Sequence, residues 1–220
     1  MQAARGATLN AEAPGSHVAR GQLLIGFGAG VLAAWALDQA TKVWAVSRLE
    51  GGEPIRVVPD VLELRFLRNP GAAFGLGTSM TVLLTLIAIG VAVVVVRIAP
   101  RLQDGVWRLA LGLLLAGTTG NLTDRLLREP EPLKGHVVDF IDYGGLFVGN
   151  VADIYLTLAA VLILWQSWRG IGLDGRRDLD RPETGKHERS ASEGHHRADA
   201  DGHDGRDGPN GTATDPDGGH

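Results

Sequence analysis

"VGNVADIYLTLAAVLILWQSW", residues 148–168, decides the fold. After its first few positions it is almost purely apolar, and roughly 20 such residues are what a helix needs to cross a bilayer. Yet it opens on Asn150 and Asp153, three apart and therefore on one helical face. An upstream stretch, "GTTGNLTDRLL" at 117–127, repeats the spacing with Asn121 and Asp124 at the end of another apolar run. Charge is expensive at membrane depth, so two amide–carboxylate pairs there require an explanation.

Working outward, three more runs have near-spanning length: Gln22–Trp44, Met80–Ile98 and Val106–Asn121, the last extended by a turn at either end. The chain is 45% apolar overall, but that average hides two materials. Residues 21–169 form an expected four-span domain. Residues 170–220 are Gly, Asp, Arg and His with almost nothing to bury, and read as a disordered cytoplasmic tail that cannot offset its ordering entropy. Residues 1–20 read as a milder version, a disordered cytoplasmic N-terminus without the early apolar core of a cleavable signal peptide. There is no cysteine, which excludes disulfides, thiolate metal sites and a cysteine nucleophile. The net charge of −4 owes much to the Asp-rich tail and implies no nucleic-acid partner.

Arginine places the spans. Arg20 precedes the first run, Arg97, Arg101 and Arg108 bracket the connector between the second and third, and Arg169, Arg176 and Arg177 follow the fourth. The positive-inside rule makes all three regions cytoplasmic, with both termini inside and the loops near 45–79 and 122–147 outside. Asp38 and Lys42 then lie late in an outward span, Asn121, Asp124 and Arg125 at the end of another, and Asn150 and Asp153 early in an inward one. All converge near the outer face.

The outer loops add to this convergence. "VVPDVLELRFLRNPGAAFGLG" (57–77) alternates at Leu62, Leu64 and Phe66 and then turns at Asn69, Pro70 and Gly71, which predicts a short extracytoplasmic sheet. "GHVVDFIDYGG" (135–145) sets Asp139 in a strand-like apolar stretch. A short loop from there can fold back to bring Asp139 to Asp153.

Taken singly, these residues have ordinary explanations. Asn150 and Asp153 suit a helix N-cap, Asp38 and Lys42 an i,i+4 ion pair, and Asn121, Asp124 and Arg125 a helix end with a surface pair. Asp142 reads as a loop carboxylate, His136 as a loop histidine, and Trp44, Trp165 and Trp168 as an interfacial belt. Jointly, four carboxylates at one depth, each flanked by an amide or a cation, point to function. Two carboxylates held close share a proton, so one can activate water while the other protonates a carbonyl oxygen. That is peptide hydrolysis without a metal, Ser or Cys. Neither HExxH nor GxSxG occurs.

"DQATK" (38–42), "NPGAAFG" (69–75), "GNLTDR" (120–125), "GHVVDF" (135–140) and "NVADIY" (150–155) occur in this order. The set resembles lipoprotein signal peptidase (signal peptidase II), the bacterial membrane aspartyl peptidase. The resemblance implies four transmembrane helices with a small extracytoplasmic β-sheet cradle and location in the cell membrane. It implies prolipoprotein substrates cut before a diacylglyceryl-modified cysteine, contact with membrane lipids, inhibition by globomycin, and no cofactor. It makes Asp139 and Asp153 the catalytic dyad. Asp124 is then a partner of Arg125, Asn121 and Asn150 position substrate or dyad, Asn69 with Gly71 binds substrate backbone, and Asp38 and Lys42 organise the first span. Two departures stand out: Pro70 where the family commonly has Thr, and a shorter loop between Asp139 and Asp153 than many members have. Two other classes remain open. A proton-coupled transporter predicts polar residues at mid-membrane, where spans two and four are apolar. A scaffold glued by polar side chains predicts that Asp139→Asn is tolerated.

Overall fold

The computed structural model describes residues 15–71 and 78–177, with side chains described for 21–71 and 81–177. The described residues form α1 (Gly15–Leu49), β1 (Ile55–Val58), β2 (Leu62–Asn69), α2 (Thr78–Ile98), α3 (Gly105–Leu127), β3 (Val137–Asp142), β4 (Val148–Gly149) and α4 (Val151–Trp168). A 3₁₀ turn, Ala99–Arg101, links α2 to α3.

The helix limits follow from local chemistry. α1 begins at Gly15, inside the stretch assigned to a disordered N-terminus, and runs past the expected Trp44 to Leu49. Its last turns stay helical because Ala45 and Leu49 are buried against the sheet. Pro100 ends α2, since it supplies no N–H donor to continue the ladder. Asp104 caps α3 by accepting the Trp107 N–H at 2.8 Å. α3 runs six residues past Asn121, so Asp124 and Arg125 sit within the helix rather than beyond its end.

Among the described residues, three helical stretches are long and apolar enough to cross a membrane: Gly21–Leu49, Thr81–Arg101 and Val151–Trp168. α3 is comparable in length at 23 residues but carries Arg108, Asn121, Asp124 and Arg125. It is the hub, packing on α1, α2 and α4. Val95, Ala99, Leu102, Leu111 and Leu115 form the α2–α3 core, and Phe27 and Val31 of α1 pack against it. On the other faces α3 approaches its neighbours through glycine. A Cβ on Gly117 would lie 2.7 Å from the Ala152 carbonyl oxygen, and one on Gly120 would lie 2.5 Å from Asp38 Oδ2.

The sheet is antiparallel in the order β1-β2-β3-β4. Val138 and Phe140 pack on Ala45 and Leu49 of α1. Alternation along a strand sends Asp139 away from that α1 contact, to meet Asn150 at the start of α4. The Trp44 ring meets Phe140 edge-on at 6.3 Å, so this expected belt residue also buttresses the sheet. Trp165 and Trp168 are exposed on α4.

Composition groups residues 170–177 with the tail, but they fold back on the α3 start. The Leu173 carbonyl accepts the Gln103 N–H at 3.0 Å, and the Ile171 carbonyl accepts Trp107 Nε1–H at 2.8 Å. Gln166, buried on α4, donates to Asp104 Oδ1 at 2.8 Å. The expectations for 1–14, for most of the "AAFGLG" stretch and for the tail past 177 lie outside the described residues.

Candidate active site

Five elements each contribute a polar side chain to one cluster. β3 supplies Asp139, which is 2% exposed. Its Oδ2 accepts from Asn69 Nδ2 at the end of β2, at 2.7 Å, and its Oδ1 from Asn150 Nδ2 at 2.6 Å. The Asn69 side chain in turn accepts the Gly71 N–H at 2.8 Å. Asn69, expected to bind substrate, is thus tied directly to the dyad candidate.

α4 supplies Asp153 through its own capping box. The Asn150 side chain accepts the Asp153 N–H at 3.2 Å, and Asp153 Oδ2 accepts the Asn150 N–H at 3.0 Å. The capping explanation therefore holds. The cap fixes one carboxylate oxygen and aims the other, Oδ1, at Asn121 Nδ2 of α3, 3.0 Å away. Asn150 Nδ2 also lies 3.2 Å from Asn121 Oδ1. An amide relay, Asp139–Asn150–Asn121–Asp153, thereby bridges the two carboxylates.

α1 sets the relay's orientation. Lys42, fully buried, donates to Asn121 Oδ1 at 2.9 Å, which turns the amide nitrogen toward Asp153. The same ammonium pairs with Asp38 at 3.0 Å and Asp124 at 2.9 Å, both fully buried. Asp38 ties α1 to the α4 start by accepting the Ala152 N–H at 2.9 Å, and Gln39 braces it through Asp38 Oδ2 and the Gly120 carbonyl. Asp124 also accepts from Arg128 Nε at 2.7 Å and from the Val138 N–H at 3.2 Å. Its ion-pair partners are thus Lys42 and Arg128, not Arg125 as the sequence suggested. Two carboxylates, Asp38 and Asp124, balance two cations, Lys42 and Arg128, which accounts for charge this deep.

Arg125 stands apart. Its Nη1 is buried without a hydrogen-bond partner, and its charge acts on Asp139, Asp124 and Asp153. Gly71, at φ +97°, faces it: a Cβ there would lie 4.0 Å from both terminal nitrogens and 3.0 Å from Leu84 Cδ1. This position requires glycine on both counts.

The electrostatics of Asp139 follow from its burial. Removal from water pushes its carboxyl up to about 6; the Asn69 and Asn150 bonds and Lys42 pull it down, and the Asp153 charge adds to the rise. Asp139 thus keeps its proton to a higher pH than an ordinary carboxyl, up to about 6. Half-buried Asp153 opens to a cavity of about 360 Å³ lined by Tyr143, Phe147, Ile154 and Thr157.

Some expectations resolve as structural. Asp142 is buried at the end of β3, paired with Arg65 at 2.5 Å and accepting the Gly145 N–H at 2.7 Å. His136 joins its loop through a backbone bond to Glu129. Sequence reasoning missed Gln39, Arg128, Phe147 and the close approaches of Gly117 and Gly120. Arg128 had a signal, since it stands four residues after Asp124 on α3. The others depend on packing alone.

Comparison with known proteins identifies the family. A family model described as signal peptidase (SPase) II matches residues 31–169. The lipoprotein signal peptidase of Rhodococcus jostii (strain RHA1) is 46% identical over 142 residues, covering 64% of this chain and 72% of its own. That of Mycolicibacterium smegmatis is 43% identical over 170 residues, covering 76% and 71%. A solved bacterial membrane enzyme, determined by the in meso method at 1.9 Å, is similar with a TM-score of 0.55 and 28% identity over 64% of this chain and 91% of that one. Nothing in these comparisons supports the transport reading. The chain belongs to the signal peptidase II family.

Proposed function

We propose that this protein is a membrane aspartyl endopeptidase that removes signal peptides from prolipoproteins, cutting before the diacylglyceryl-modified cysteine, with Asp139 and Asp153 as its dyad. The observation that carries the dyad is the Asn150–Asn121 relay, which holds the two carboxylates in one hydrogen-bonded unit. Asp139, buried and with its carboxyl pushed up to about 6, donates in its protonated form to the scissile carbonyl oxygen. Asp153, beside the open cavity, takes the proton from the attacking water. Collapse of the tetrahedral intermediate breaks the C–N bond, and the leaving amine takes a proton back from the dyad.

In this reading α3 crosses the membrane as a fourth span, both termini are cytoplasmic, and the site lies near the outer face of the cell membrane. Arg125 and Asn69 flank the scissile segment, and Asp38, Lys42 and Asp124 hold α1, α3 and β3 around it. Bilayer lipids surround the spans, and globomycin-type cyclic peptides compete for the site.

The test is cleavage of a diacylglyceryl-modified prolipoprotein by purified wild type, Asp139→Asn, Asp153→Asn and Asp124→Asn, each checked for folding. The expected result is two folded, inactive dyad variants, with residual activity in whatever fraction of Asp124→Asn folds. An active Asp139→Asn overturns the assignment.

A further inference from the structure

We propose that the groove between α1 and the first turns of α3 holds one acyl chain of an anionic phospholipid of the cytoplasmic leaflet, with the lipid phosphate on Arg108. The proposal rests on the reading of α1 and α3 as membrane spans and does not involve the dyad.

The groove has a volume of about 350 Å³ and lies at the end of α3 away from Asn121 and Asp124. Glycine opens it. A Cβ on Gly26 or Gly30 of α1 would meet nothing within 4 Å, so no neighbouring side chain fills the space beside them. Phe27 closes one side by packing on the bare backbone of Gly112, where a Cβ would lie 3.4 Å from its Cε2. Along α1 the groove runs from Gln22 to Ala34, about 18 Å at the rise of a helix. Beyond it α1 closes on α3, with Asp38 against Gly120.

Arg108 stands at the surface end of this groove, half-buried. Its Nη2 lies back along α3, 3.9 Å from where a Cβ on Gly105 would be, so the charge is drawn toward the helix start while its stem covers apolar surface. Among the described residues Arg108 forms no ion pair, and neither do Arg97, Arg101, Arg176 and Arg177 at the same end of the bundle. The carboxylates described there are engaged otherwise. Asp104 caps α3 and holds Gln166, and Asp174 accepts the Arg176 N–H at 3.2 Å.

Two features select an anionic lipid over a helix of another protein. A partner helix needs a face that stays open along the whole span, whereas this groove ends after about one leaflet, half of a hydrocarbon core of about 30 Å. An acyl chain needs only that depth. The second feature is charge: a guanidinium without a carboxylate, at headgroup level, matches a phosphate and has no use for a purely apolar occupant.

The test uses the full chain in dodecyl maltoside, titrated with dioleoyl phosphatidylglycerol or dioleoyl phosphatidylcholine, with the thermal unfolding midpoint as readout. Wild type is expected to reach half of its midpoint shift at about fivefold less phosphatidylglycerol than phosphatidylcholine, the effect of about one arginine at a membrane surface. Arg108→Gln removes the headgroup partner and Gly30→Leu fills the groove, and each is expected to bring the two titrations together. Either variant decides the matter if the other does not fold. Arg101→Gln, exposed and outside the groove, is expected to keep them apart. Equal titrations on wild type overturn the proposal. So does a preference lost equally in Arg101→Gln, which assigns it to the general positive charge of this face, or one that survives Gly30→Leu. The readout is binding, so a chain inactive on prolipoprotein counts against the peptidase reading and not against this site.

Discussion

Replacing Asp139 with Asn is expected to abolish the proposed chemistry and to remove the pH dependence that Asp139 gives to stability. Burial raises the Asp139 carboxyl from 3.8 to about 6. Each pKa unit corresponds to about 1.4 kcal/mol, so ionising Asp139 in the folded state costs about 3 kcal/mol more than in the unfolded chain. Between about pH 4 and 6 the native state holds a proton that the unfolded state has lost. Wild-type stability therefore falls as pH rises through that window and is level above it. Asn is nearly isosteric with the neutral acid and never ionises, but its NH2 cannot accept, so one of the two bonds from the Asn69 and Asn150 amides is lost at every pH. The variant is expected to lie about 1–3 kcal/mol below wild type near pH 4 and to gain about 3 kcal/mol on it by pH 7, a relative change of about 6–12 °C in unfolding midpoint for a chain of this size. Near-ultraviolet circular dichroism of both proteins in one detergent, melted at each pH, measures it. Midpoint curves that stay parallel from about pH 4 to 8 refute the reasoning.

Asp124→Asn leaves Lys42 and Arg128 with one carboxylate fewer at a fully buried site, and is expected to cost about 3–5 kcal/mol, seen as a lowered midpoint and yield. Gly120→Ala drives a methyl into Asp38 and is expected to destabilise by about 1–3 kcal/mol, whereas Gly26→Ala, which meets nothing within 4 Å, is expected to be neutral or mildly stabilising in the same melt. Asn150→Ala removes both the α4 cap and the bond to Asp139, so a loss of about 1 kcal/mol is expected, with kcat down on the order of 10²-fold. A kcat loss that merely tracks the stability loss would remove Asn150 from the relay.

The membrane helices were legible in the sequence because long apolar runs have few alternatives in lipid. The clustering was legible too: hydropathy and arginine asymmetry set Asp38, Asn121 and Asp153 at matching ends of their helices, and the structure joins those ends. What stayed hidden was pairing. Nothing in "GNLTDR" says that Asp124 turns to Lys42 and Arg128 rather than to its neighbour Arg125. Adjacent helical residues point about 100° apart, and tertiary packing decides which one meets α1. The order of residues 170–177 was hidden for a related reason. Their composition offers little to bury, and they are held by backbone bonds to α3, which hydropathy does not register.

The relay draws on α1, α3, β3 and α4, with β2 supplying Asn69, and this has a consequence for biosynthesis. A ribosome releases α1 first and α4 last, so Lys42 and Asn121 reach the membrane before Asp153 exists. Asn150 is made just before the helix it caps, so the two carboxylates can enter one bonded unit only once the start of α4 has followed β3 out of the ribosome. With Asp139 and Asp153 as the proposed dyad, cutting power is therefore the last property of the spanning domain to be assembled.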